Sequence, residues 1–364
     1  MSAVNEELRI EIPRSFVEGL MDHLKMDRNS LFSAWLWPEQ SQGAAAWWEA
    51  LELERREDCQ ALLQAVAAPV LLATFTMLEG SMTVLLRCLV PSTEPGTHVY
   101  LIKEQESNLV AQRLEHRDLA VDAIWELLSG DFPIWEMEWG VKLSKEALYT
   151  LLAVTDLQQR KEFVGLLEHS VLGQEFFPTE VEQIIERSFE HSDIRWLLPF
   201  FLAVNPGAPD LGRLKSSGEA ALKALCEAGL LEDSKQNVHR WSPQGEFLAG
   251  HWCNRLASAG LQILAADHEG TPVFSHAGFL RSRKFLWYFE LDSAEEELVV
   301  STPPVGLFQE LLDELLSPLG EPRSRPSKSD TEPDGQVLFC PFCGGKLAVA
   351  DARFCNACGK ALRA

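Results

Sequence analysis

Four of the chain's eight cysteines stand in its last 25 residues, as Cys340-x-x-Cys343 and Cys355-x-x-Cys358. Eleven residues separate the pairs, and glycine follows each: Gly344 and Gly345 after the first, Gly359 after the second. Thiolates presented by two tight turns suit one tetrahedral Zn2+ ion. Glycine lets each turn double back so that backbone N–H groups face the sulfurs. Four protein ligands leave no position for water, so the expected role is structural rather than hydrolytic. So short a segment cannot bury enough surface to fold by itself, whereas bound zinc can contribute on the order of 10–16 kcal/mol.

The stretch CPFCGGKLAVADARFCNACGKAL resembles the zinc-ribbon family found at the ends of many bacterial proteins, on the pattern C-P-x-C-G-x…F-C-x-x-C-G-x-x-L. The resemblance covers residues 338–362 and implies that Cys340, Cys343, Cys355 and Cys358 ligate one structural zinc. Rubredoxin-type iron sites share the turns, but with a much longer spacer and an aromatic core. A redox Cys-x-x-Cys needs one pair and a helix start. The other cysteines, Cys59, Cys88, Cys226 and Cys253, are scattered through apolar contexts such as LLRCLV. They read as buried free thiols of a reducing compartment.

Elsewhere the residue types give no reaction. Gly207-x-x-x-x-Gly212 continues as Arg213-Leu214, without the lysine and hydroxyl that a phosphate loop needs. No Gly-x-Ser-x-Gly nucleophile elbow and no His-Glu-x-x-His occurs. His251 and Cys253 flank Trp252; they could suggest a thiol–base pair, but residues in that relation diverge on a helix, and a packed helix end is the plainer reading. Glu136 and Glu138 alternate with Trp135, Met137 and Trp139, the pattern of a strand with one wet and one buried face. The eleven tryptophans, with clusters at Trp35–Trp37 and Trp47–Trp48, read first as packing and second as a protein-binding surface. A non-enzymatic protein is therefore expected.

The elements that must carry these residues fall into a repeated layout. Residues 69–129 read as four strands and a helix, with Glu79-Gly80 as a hairpin turn between PVLLATFTM and SMTVLLRCLV. Residues 260–316 repeat the plan about Glu269-Gly270. The interval from Gly80 to Leu128 is 48 residues and that from Gly270 to Leu316 is 46. This is read as an internal duplication of antiparallel-sheet-plus-helix units, of a kind that often pair back to back. The expected fold class is α+β, with a helical region between the copies and a small C-terminal ribbon.

The expected organisation is an α+β body, 1–316, followed by a flexible linker, 317–335, and the ribbon, 336–364. Within the body come a helical lead-in, 1–68; the first sheet–helix unit, 69–129; a helical, winged-helix-like region, 130–255; and the second unit, 256–316. The linker SPLGEPRSRPSKSDTEPDG holds four prolines, four serines and both signs of charge, which suits a semi-extended tether. In the helical region Ser144 should cap one helix, and Thr179 with Glu182 should form a capping box before another.

Residues 213–252 resemble the last third of a winged helix: a helix stopped at Gly229-Leu230-Leu231, a short strand NVHRWS, then the turn Ser242-Pro243-Gln244-Gly245 opening another helix. A nucleic-acid-binding regulator is the alternative function this implies. Charge argues against it. The chain carries 54 acidic and 32 basic side chains, a net of −22, and such a field repels phosphate backbones and anionic membranes. From Arg213 to Glu246 five basic residues are matched by five acidic ones. The doubled layout of helix, polar wing, sheet and terminal helix is similar to EspG-type chaperones of type VII secretion. That resemblance implies binding of a secreted helical protein rather than catalysis. The start MSAVNEELRIEIPRSF lacks the apolar stretch of a signal peptide. The expectation is a cytoplasmic adaptor or chaperone-like protein that binds another protein.

Overall fold

A computed structural model describes residues 9–34, 43–93, 98–104, 107–130, 133–170, 175–234, 238–266, 271–291 and 297–318. The fold is α+β and runs through one plan twice. The first pass is β1 (Arg9–Pro13), helices α1 (Val17–His23), α2 (Ala44–Ala50) and α3 (Leu53–Ala67), then β2 (Leu71–Glu79), β3 (Met82–Val90), β4 (Val99–Glu104), β5 (Asn108–Leu114) and α4 (Arg117–Ser129). The second begins with β6 (Gly140–Ser144), α5 (Lys145–Glu168), β7 (Glu175–Phe176), α6 (Pro178–His191), α7 (Leu197–Val204) and α8 (Leu211–Glu227). It continues through β8 (Leu231–Ser234), β9 (Val238–Trp241) and α9 (Pro243–Cys253) to β10 (Ala257–Ala266), β11 (Pro272–Arg281), β12 (Leu286–Glu290), β13 (Glu297–Ser301) and α10 (Val305–Leu315).

The two four-stranded units join edge to edge, not back to back. Strand β2 pairs antiparallel with β10, Leu71 opposite Ala265 and Glu79 opposite Ala257. Among the described residues this makes one ten-stranded sheet, β1-β5-β4-β3-β2-β10-β11-β12-β13-β6. The order reads the same from both ends: a lead strand, a meander, a second meander, a lead strand. The reason lies in β2 and β10, whose residues are buried on both faces. A strand that is apolar on both sides belongs in the middle of a covered sheet, not at a wet edge.

Three cores result. On one face of the seam Leu71, Ala73, Phe75 and Met77 meet Ala257, Leu261 and Ile263 under α4 and α10. These two helices also touch each other, through Arg117 and Asp313 at 2.9 Å and through Trp125 and Phe308. On the opposite face, α1–α3 cover the first unit and α5–α9 cover the second. Helix α7 can lie directly on the strands because Gly260 and Gly278, register partners on β10 and β11, present no side chain there. A Cβ on Gly260 would stand 2.5 Å from that of Val204.

Local signals explain most helix starts. Ser144 Oγ accepts the Ala147 N–H at 3.2 Å, as expected of a cap. The capping box expected at Thr179 and Glu182 is displaced by two residues. Helix α6 starts at Pro178, whose fixed φ and missing donor suit the first position, and it is Glu180 that accepts the Phe177 N–H, at 2.8 Å. Two further expectations are corrected. Residues 135–139 form no strand; the ladder begins one residue later in β6, where Thr302 N–H reaches the Trp139 carbonyl at 3.0 Å. The lead-in expected to be helical contains β1, which pairs with β5. The winged-helix-like region is present: α5, β7, α6, α8 and the β8–β9 hairpin, with β7, β9 and β8 as a small second sheet. The Glu269-Gly270 turn, the linker from residue 319 and the whole ribbon lie outside the described residues.

Candidate functional site

Helix α5 divides into two halves of opposite character. From Ala147 to Leu157 every residue is buried, as suits a helix that is apolar all round. Tyr149 accepts the Asn205 amide at 2.9 Å, and Thr155 returns its hydroxyl to the Leu151 carbonyl. From Glu162 the helix emerges. Phe163 is 51% exposed, Val164 42%, Leu166 71% and Leu167 81%. The protruding half is held as helix by local ties. Gln158 bonds Glu162 at 3.0 Å, and Lys161 reaches the Glu175 carbonyl at 2.7 Å and Glu180 at 3.0 Å. Phe177, beside those ties, is exposed as well. Scattered surface leucines are ordinary, but large apolar side chains grouped on one helix end mark a contact surface.

A cleft of about 530 Å³ lies next to this end, at the seam between the two units. The β2–β3 turn at Gly80, the start of β10 and the entry to α7 wall it, and Phe163, Trp196, Leu78 and Leu256 are among its lining side chains. Trp196 takes the edge of Phe163 at 6.3 Å and the guanidinium of Arg160 over its face at 4.0 Å. Arg195 holds Asp193 with two hydrogen bonds, 2.9 and 2.8 Å. Arg255 is anchored to Gln159 at 3.1 Å and to the Trp252 carbonyl at 3.2 Å.

The titratable groups around the cleft serve the fold. Asp156 is fully buried and accepts the Leu197 and Leu198 N–H groups at 2.8 and 2.9 Å, capping α7 from another helix. Burial raises its pKa to about 6, against those N–H groups and Arg255, which lower it. Burial also pushes the Cys253 thiol well above its usual value, and the thiol faces the Thr155 carbonyl at 3.6 Å. His251 packs against the rings of Phe247 and Phe285, each at 4.7 Å, which also touch each other. Burial first, then Lys284, lowers its pKa to about 4. So His251 and Cys253 form no couple. The four cysteines of the body are free thiols, three of them buried and Cys226 partly so.

Asp156 and His251 act on stability with opposite sign over the same pH range. The native carboxyl binds its proton at about pH 6, above the unfolded value near 3.9, so acidification through that window favours the folded state. The native imidazole resists protonation until about pH 4, whereas the unfolded one titrates near 6.5, so the same acidification favours unfolding. Between pH 7 and pH 5, His251→Phe should therefore gain stability relative to the parent as pH falls, and Asp156→Asn should lose it. Denaturant melts across that range check this, and parallel slopes for the two variants would contradict it.

On α8 and the β8–β9 hairpin each described lysine and arginine has a carboxylate beside it. Arg213 pairs with Glu146. Lys215 pairs with Glu182 and Glu186 at 3.2 and 2.6 Å. Lys223 lies 3.6 Å from Glu227, and Arg240 lies 2.6 Å from Glu232. Cys340, Cys343, Cys355 and Cys358 lie outside the described residues, among which no cluster of metal-ligating side chains occurs. No helix among the described residues is long and apolar enough to cross a membrane. Of the tryptophans, Trp48, Trp241, Trp252 and Trp287 are buried, and Trp139, Trp252 and Trp287 stack edge to face in the second unit's core; Trp35 and Trp37 lie outside the described residues.

No family model matches the chain, and no curated protein does. Among solved structures it is similar to the type VII secretion chaperone EspG5 of Mycobacterium tuberculosis, determined in complex with a PE25–PPE41 dimer. The identity is 11% and the TM-score 0.45, over 86% of this chain and 97% of that one. At that level the likeness carries no argument about function.

Proposed function

We propose that this chain is a non-enzymatic adaptor that binds another protein through the exposed end of α5 and the cleft beside it. One observation carries the reading: Phe163, Val164, Leu166 and Leu167 stand in solvent on a helix that is wholly buried from Ala147 to Leu157. A helix end of that composition gains most by burial against a partner, at roughly 1.5–3 kcal/mol for each large apolar side chain fully covered. A non-catalytic reading is supported by the cleft's own titratable groups, because Asp193 and Arg195 are bonded to each other and Arg255 and Cys253 face backbone carbonyls. A chaperone-like role for a secreted helical protein is the finer reading, and it is what the resemblance in layout implies.

We place one structural zinc in the ribbon, on Cys340, Cys343, Cys355 and Cys358, on the chemistry and spacing of the donors. The alternative, a regulator that grips nucleic acid, needs several free cations on one face; Arg213, Lys215, Lys223 and Arg240 are each engaged by a carboxylate. The test is affinity purification of the full chain from its native host, parent beside the double variant Leu166→Gln, Leu167→Gln. Glutamine keeps helix propensity and removes the apolar surface. The parent should retain one stoichiometric protein that the variant retains at least about tenfold less, with melting temperatures equal to within about 1 °C. Equal recovery by both would refute this surface as the binding site.

A further inference from the structure

We propose that the outer edge of β1 is a second docking site, which takes an extended, basic-flanked segment of a partner protein as an eleventh strand. Among the described residues β1 ends the sheet. Its inner side is paired in register with β5, Arg9 opposite Gln112 and Pro13 opposite Asn108. The phase of that ladder follows from the Arg14 N–H, which donates to the Ser107 carbonyl at 2.9 Å. Hydrogen-bonded positions alternate along an antiparallel pair, so Ile12 and Ile10 exchange bonds with β5. Arg9 and Glu11 therefore turn their N–H and C=O groups away from β5, toward the open side.

That open side adjoins a groove of about 650 Å³, whose far wall is Trp47, Leu51, Arg55, Asp58 and Cys59. Such a volume accommodates a short peptide stretch, and β1's five residues offer roughly 17 Å of ladder. The counterpart edge at the other end of the sheet is built differently: β6 lies against α5 and α8, with exposed Lys142 at its middle, a usual guard against strand addition.

The chemistry of the occupant follows from the walls. Backbone groups on the edge supply affinity, and side chains on one face of the incoming strand meet Trp47 and Leu51, so apolar residues should recur at every second position. The carboxylates at the rim are Glu11, which takes the Asn108 amide at 2.5 Å and lies 3.7 Å from Arg9, and Asp58, 3.0 Å from Arg113. Arg55 adds a positive charge to the wall, so the preference for lysine or arginine lies on the flanks beyond the groove, where the chain's net of −22 acts at long range. This site is independent of the α5 surface; either can fail without the other.

The probe is the synthetic amide Lys-Lys-Val-Thr-Val-Thr-Val-Thr-Val-Thr-Lys-Lys, added to the full chain. It should slow hydrogen exchange of the Arg9 and Glu11 amides at least about tenfold, while a peptide with the valines and threonines in separate blocks should not. Glu11→Pro removes an outward N–H without touching the β5 ladder, and should weaken binding about tenfold with the melting temperature unchanged. Glu11→Ala, which keeps the N–H, should bind like the parent. Lack of protection at about 1 mM peptide, protection confined to other segments, or equal affinity of Glu11→Pro would overturn the proposal. So would a parent that dimerises through β1 and is returned to monomer by Glu11→Pro, because the occupant would then be a second copy.

Discussion

Replacing Gly245 with alanine is expected to cost at least about 3 kcal/mol and to lower the melting temperature by roughly 6–12 °C. Gly245 sits where the stop of α8 and the start of α9 are knitted together. Gly229 closes α8 in the left-handed region at φ +73°, and its N–H reaches the Cys226 carbonyl at 2.9 Å. The Ser242 hydroxyl then donates to the Gly229 carbonyl at 2.5 Å and accepts the Gly245 N–H at 3.0 Å, while the Ser242 N–H meets the Leu230 carbonyl at 3.1 Å. A methyl group on Gly245 would overlap that Leu230 carbonyl oxygen and stand 2.7 Å from the Trp241 ring. Neither neighbour can swing aside, because one is backbone and the other is packed in the core. Gly250, on the same helix, has no atom within 4 Å of such a methyl, so Gly250→Ala should be neutral or stabilising by up to about 1 kcal/mol. Thermal melts of the two variants check the pair, and a Gly245→Ala protein melting with the parent would contradict this account of the turn.

Replacing Cys343 with serine should abolish stoichiometric zinc and leave the body's melt unchanged. Three thiolates and a hydroxyl bind zinc far more weakly than four thiolates, and the ion's contribution, on the order of 10–16 kcal/mol, is the folding energy of such a module. The body has three cores of its own within residues 10–316, so it does not depend on the tail for burial. Elemental analysis should return one zinc per parent chain and about none for the variant. Loss of the body's transition together with the metal would show that the ribbon is part of the main fold and not an appendage.

The doubled meander was legible because its signals are local. An alternating or apolar run, a Gly80 turn at φ +58°, and a following helix with a buried stripe need no distant partner to be read. The lead strands were not legible. Residues Arg9–Pro13 do alternate, Ile10 and Ile12 inward, but five residues become a strand only against β5, about a hundred positions away in sequence. Trp135–Trp139 alternates equally well and is not a strand, because no ladder partner lies beside it until β6. Edge-to-edge joining was recorded only in the two-sided burial of β2 and β10, which a pattern of apolar residues cannot separate from a strand covered by one helix. The α5 surface is defined by what fails to pack. In QQRKEFVGLLEHS the apolar residues are those of an ordinary buried turn, and one signal could have marked them: with the preceding LYTLLAV they place apolar side chains all round a helix that is too long to be buried at both ends.

Site-specific photo-crosslinking in the native host tests the proposed surface most directly. A photoreactive residue at position 167 should give one dominant protein adduct. The same residue at position 119, where the leucine is 45% exposed on α4, on the opposite face of the sheet from α5, should give none. Adducts of equal yield from both positions, or none from position 167 in a chain that folds and melts like the parent, would contradict the reading of α5 as the place where a partner protein binds.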